Sequence, residues 1–231
     1  MKKTHLTPYQ DIYTYFSAKK AIGETLSYLM HNNGLLDHDS LKSVNEMCNA
    51  ALFALACIKQ NNEEWWVRNP LSGEHTPDAY LMKFDPKDDG KNRVIKEYGL
   101  EIVTYEKHSP ENVVDFLIRT KLNSNKQYSE NSAILCRIDK DIHIKDWREI
   151  HSKLIPHMGA LNVHFICRTQ ISPTRFKAIW MGNNVSLFVE GADYILDEAI
   201  QYEALDVVTM ERRTGVNVEP TGYTNLKLFT E

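Results

Sequence analysis

Asp78 and Glu101 are the two residues whose type and setting suggest chemistry. Asp78 follows Pro77 and opens the apolar run Ala79-Tyr-Leu-Met-Lys-Phe84, while Glu101 sits inside Gly99-Leu-Glu-Ile-Val-Thr-Tyr105. Both runs read as strands, and the polar segment from Asp85 to Arg93 between them reads as a hairpin connection. Pairing of these strands brings the two carboxylates side by side. Two acids sharing a site repel each other, and a divalent cation is the usual means of keeping both ionised. Magnesium takes one or two protein carboxylates and leaves its other positions to water and phosphate oxygens, an arrangement suited to phosphodiester hydrolysis. The same residues would also serve a plain structural purpose, with Asp78 beginning a strand after a turn and Glu101 paired to Arg68 or Lys83.

The surrounding elements must hold the acids in place. Thr7-Pro8 followed by Tyr9, Ile12, Tyr13, Phe16, Ile22, Leu26 and Leu29 predicts a helix or helix pair ending near Gly34. Val44, Met47, Ala51, Leu52, Leu55 and Ile58 predict a second helix running to about Gln60. Strands follow at Glu64 to Pro70, Pro77 to Phe84 and Val94 to Glu106, and Ser109-Pro110-Glu111 starts another helix. Beyond it come a strand at Ser132 to Ile138 and a helix capped by Asp146 with Glu149, then strands at Leu161 to Cys167 and Phe176 to Met181. A helix from Ala192 to Leu205 and an irregular tail complete the order. Strands grouped first and then alternating with helices imply the α/β class with a mixed sheet covered on both faces.

With 231 residues the chain fits one domain, 1–231, comprising an N-terminal helical segment (1–40), a core (about 41–139) and a C-terminal extension (about 140–231). Hydrophobic residues at 42% and charged residues at 25% are those of a globular protein rather than a disordered or fibrous one. A net charge of -4 argues against coating nucleic acid by bulk positive charge, yet leaves room for a local basic groove. No apolar run reads as a signal peptide or a membrane span. Cys48, Cys57, Cys136 and Cys167 are scattered through apolar runs, as reduced cysteines of a cytoplasmic protein would be.

Pro77-Asp78, the hairpin loop and Gly99-Leu-Glu101-Ile-Val103 together resemble the PD-(D/E)xK, or restriction-endonuclease-like, nuclease superfamily. The order of helix, three-stranded meander, helix and strand over about residues 41–139 is similar to that family's core. The resemblance implies a three-layer α/β/α fold and a Mg2+ (or Mn2+) site at Asp78 and Glu101, with the main-chain carbonyl of Val103 facing the metal. It also implies DNA as the substrate, and a homodimer where both strands are cut. In the family a lysine two residues after the glutamate activates water; here Val103 stands in that place. Lys107 lies six residues past Glu101, about 20 Å along an extended strand, and Lys83 is an odd offset from Asp78, which turns it to the opposite face. Lys121, on the next helix, is left as the candidate catalytic amine. Glu46 matches a position where some members carry an additional acid.

The remaining candidates have plainer readings. Trp65 and Trp66 could stack on bases but fit core packing, and His143, His151, His157 and His164 match no zinc spacing. No phosphate-binding glycine loop and no nucleophile elbow occurs. The functional expectation is therefore a Mg-dependent DNA endonuclease, and its alternative is a nuclease-fold protein that binds DNA or assembles with other proteins without cutting.

Overall fold

The computed structural model describes residues 12–32, 38–70, 77–86, 92–123, 128, 131–139, 142–168, 174–196, 207–211 and 218–220. The chain belongs to the α/β class. Its strands are β1 (Ile12–Ser17), β2 (Trp66–Arg68), β3 (Ala79–Pro86), β4 (Asn92–Tyr105), β5 (Ser132–Ile138), β6 (Asn162–Arg168), β7 (Arg175–Met181), β8 (Phe188–Ile195), β9 (Val207–Glu211) and β10 (Val218–Pro220). They form one mixed sheet in the order β10-β9-β1-β2-β3-β4-β5-β6-β7-β8, in which β4, β5 and β6 run parallel. The helices are α1 (Ala18–His31), α2 (His38–Asn61), α3 (Val113–Leu117) and α4 (Trp147–Met158).

Alternation along the strands divides the core in two. Leu100, Ile102, Ala133, Leu135 and Ile166 pack beneath α1 and α2. Ile134, Cys136, Val163 and Phe165 join α3 and α4 on the other face. Helix α2 meets the length and hydropathy of a membrane span over Leu41–Asn61, which the sequence reading did not anticipate. Its apolarity is accounted for by the sheet, since 72% of that stretch is buried inside the fold.

Several expectations need correcting. The N-terminal segment is not helical throughout, because residues 12–17 pair with β2 and β9 and the helix begins only at Ala18. β-Branched and aromatic side chains favour the strand there, and the Ser17 hydroxyl caps α1 by accepting from the Lys20 N–H. The Thr7-Pro8 start lies outside the described residues. Helix α3 starts after Asn112 rather than Ser109, since the Asn112 side chain accepts from the Val114 and Asp115 N–H groups. Ala192 to Ile195 belong to β8, not to a helix, because Asp193, Tyr194 and Ile195 pair with β7; residues 197–205 lie outside the described set. The tail carries β9 and β10 where irregular chain was expected.

Helix α3 continues into a wider turn over Ile118–Leu122, where the Asn123 N–H reaches back five residues to the Ile118 carbonyl. This turn carries Lys121.

Candidate active site

The site forms where β3 ends against β4. Their ladder closes at Ala79 opposite Leu100, so Glu101 and the residues after it lie beyond the last β3 pair. Pro77 and Asp78 fill that place. The Asp78 N–H donates to the Leu100 carbonyl at 2.9 Å, and the Asp78 Oδ2 accepts from the Ile102 N–H at 2.7 Å. Pro77 needs Gly99 beneath it, because a Cβ on Gly99 would stand 2.7 Å from the proline Cγ. The glycine thus allows the close approach that sets Asp78 beside Glu101.

Glu101 is 1% exposed on the face packed by α3 and α4. Neither Arg68 nor Lys83 neutralises it, since Arg68 pairs with Glu97 and Lys83 with Glu63. Its partner is Lys121, whose Nζ donates to Glu101 Oε2 at 2.9 Å. Lys107 is exposed in the turn after β4. Spacing could not select Lys121, because the direction of that side chain depends on the wide turn that ends α3.

Val103 packs its side chain against the core formed with α3 and α4. Tyr105, two residues on, accepts at its carbonyl from Asp139 at the end of β5. By strand alternation the Val103 carbonyl is likewise directed toward β5, and the main-chain groups on the Asp78 side are those of Ile102.

Glu46 reaches the site from α2. Burial raises its carboxyl to about pKa 7, the negative charge of Asp78 adds to the effect, and the charges of Lys42 and Lys121 oppose it. Lys42 pairs with Glu46 at 3.5 Å but is largely exposed, so its compensation is screened by solvent. Lys121 thus contacts Glu101 and also acts by its charge on Glu46, which in turn feels the charge of Asp78. Among the described residues no three His, Cys, Asp or Glu side chains already form a metal cage. A hard cation needs only one or two protein carboxylates. Glu46 is held partly protonated at neutral pH mainly by its burial, with the charge of Asp78 adding to it.

The other sequence candidates lie elsewhere. Trp65 and Trp66 are both buried, as core residues are. His151 donates from Nε2 to the Gly182 carbonyl at 2.7 Å, and His164 stacks on Phe53 at 4.9 Å, where burial pushes its pKa down to about 3. His143 and His157 are exposed. Comparisons with protein-family models, with curated proteins and with solved structures found no match.

Proposed function

We propose that the chain is a divergent PD-(D/E)xK-type nuclease with a three-layer, restriction-endonuclease-like core, hydrolysing phosphodiester bonds in DNA. The observation that carries this reading is the 2.9 Å contact between Lys121 and Glu101, which sets an amine from a helix beside the acid pair. Asp78 and Glu101 would hold the divalent cation, Mg2+ or Mn2+, which when bound supplies Lewis-acid polarisation of a phosphoryl oxygen and a more acidic water. Lys121 orients the attacking water by donating to its oxygen. Glu46, near half-protonation at neutral pH, can take up the proton that this water loses. The Asp78 hydrogen bond to the Ile102 N–H keeps the two strand ends from separating while charge changes at the site.

A second reading is favoured by the same contact, because an ion pair already neutralises Glu101 without a metal. In that reading the fold binds DNA or assembles without cutting. One assay separates them: wild type, Asp78→Ala, Glu101→Ala and Lys121→Met are incubated with supercoiled, linear and single-stranded DNA in Mg2+ or Mn2+. The nuclease reading expects cleavage by wild type and a loss of about a hundredfold or more in each variant. Equal cleavage by all four proteins would assign the activity to a contaminant, and no cleavage of any DNA form by wild type would leave the second reading.

A further inference from the structure

Two arginines at the carboxyl ends of the parallel strands have no part in the site described so far. Arg137 is two residues past Leu135 and Arg168 two past Ile166, and both of those apolar residues pack on the α2 face. Strand alternation therefore places Arg137 and Arg168 on that same face. Arg137 is the register partner of Ile166, which makes Arg168 its diagonal neighbour across β5 and β6. Both side chains are half-buried.

Like charges held together and partly out of water are costly unless something answers them. Among the described residues neither guanidinium has a carboxylate within ion-pair distance. Arg168 Nη2 donates to Cys48 Sγ at 3.6 Å, a weak acceptor. Burial and the charge of Arg168 both disfavour the charged form of Arg137, and Asp139 and Cys48 offset only part of this. The pair also occupies the position where open α/β sheets take ligands, outside the carboxyl ends of parallel strands. Glu101 lies on the other face of the sheet, since its register partner Ile134 packs with α3 and α4, so the arginine pair is a site apart from the Lys121–Glu101 contact. Two guanidinium forks match the oxygens of a phosphate group.

We propose that Arg137 and Arg168 form a phosphate clamp on the α2 face, at the carboxyl ends of β5 and β6, that holds a backbone phosphate of DNA away from the scissile bond. This rests on the nuclease reading and names a contact to its substrate. Inorganic phosphate offers the same oxygens, so the test has two arms. In the first, a labelled duplex is titrated in EDTA, where nothing is cut, against wild type, Arg137→Gln, Arg168→Gln and the surface control Lys153→Gln. Each arginine variant should bind about tenfold more weakly and lower the slope of log affinity against log salt by about one, while the control binds as wild type. In the second, melting temperature is followed in inorganic phosphate against chloride of equal ionic strength, with saturable stabilisation expected in wild type and lost in both arginine variants.

Removing one of two repelling charges should leave the melting temperature in chloride unchanged or higher, so weaker binding will not reflect unfolding. A phosphate effect without a DNA effect upholds the clamp and assigns its ligand to free phosphate. If neither DNA affinity nor phosphate stabilisation differs between wild type and the arginine variants, the clamp is overturned, whatever the cleavage assay gives. Conversely, arginine-dependent binding by a wild type that cuts no DNA upholds the clamp and removes the nuclease reading.

Discussion

Strand β4 carries two acids on one face, four residues apart, and their surroundings differ in a way that separates structure from chemistry. Glu97 Oε1 accepts from the Arg68 Nε at 3.2 Å and from the Tyr15 hydroxyl at 2.6 Å, and the guanidinium lies 3.5 Å from the centre of the Tyr80 ring. One planar cation, clamped by an aromatic ring, answers one carboxylate. At Glu101 the cation is a flexible ammonium, and the acids Asp78 and Glu46 stand nearby. A balanced pair holds strands together. A cluster in which burial raises one carboxyl to about pKa 7 is kept at a cost to the fold.

Breaking each cluster should therefore damage a different property. On the nuclease reading the largest effect is expected from Lys121→Met, which should reduce DNA cleavage per folded molecule by about a thousandfold. Because it also strands the buried Glu101 carboxylate, urea unfolding should show a loss of about 3 kcal/mol, so the loss of cleavage is what sets this cluster apart. Next comes Arg68→Met, which strands the Glu97 carboxylate and the Tyr15 hydroxyl. It should cost about 3 kcal/mol in urea unfolding, the lower end for a buried pair because Glu97 is 35% exposed. Activity per folded molecule should be unchanged, and a variant as stable as wild type would erase the contrast between the clusters.

Gly99→Ala tests the positioning of Asp78. The new methyl must displace Pro77, so about 1 to 2 kcal/mol of stability should be lost, along with at least tenfold in cleavage. Urea unfolding and the cleavage assay, run on the same preparation, check both.

The smallest effect is a pH dependence from Glu46. In the fold its carboxyl keeps a proton up to about pH 7, against an ordinary value of 4.5, so the folded state binds more protons between those limits. Stability should fall as pH rises from about 4.5 to about 7 and level off above. Partial exposure limits the change to about 1 kcal/mol. Glu46→Gln should remove this slope and be the more stable protein at pH 8; urea unfolding at pH 5 and pH 8 reads both.

The sequence was most legible where one element carries its own signal. The bounds of β5 match the apolar run Ser132 to Ile138, and Asp146 caps α4 by accepting from the Glu149 N–H at 2.9 Å. Pro77, Asp78, Gly99 and Glu101 could be read together because a short hairpin joins them. Features that depend on partners far along the chain could not be read. Residues 12–17 look helical until β2 and β9 are beside them, and Ala192 looks helical until β7 is. The closeness of Arg137 and Arg168 depends on the register between β5 and β6, which no local pattern encodes.

The wide turn at Ile118–Leu122 has one further consequence. An α-helix advances about 100° per residue, so the position of a side chain around the axis is a phase, and one added residue resets it for everything beyond. Deleting a single residue from this turn should rotate position 121 away from β4 while leaving every charge in the sequence intact. The amine beside Glu101 is thus fixed by a count of residues as much as by a choice of residue.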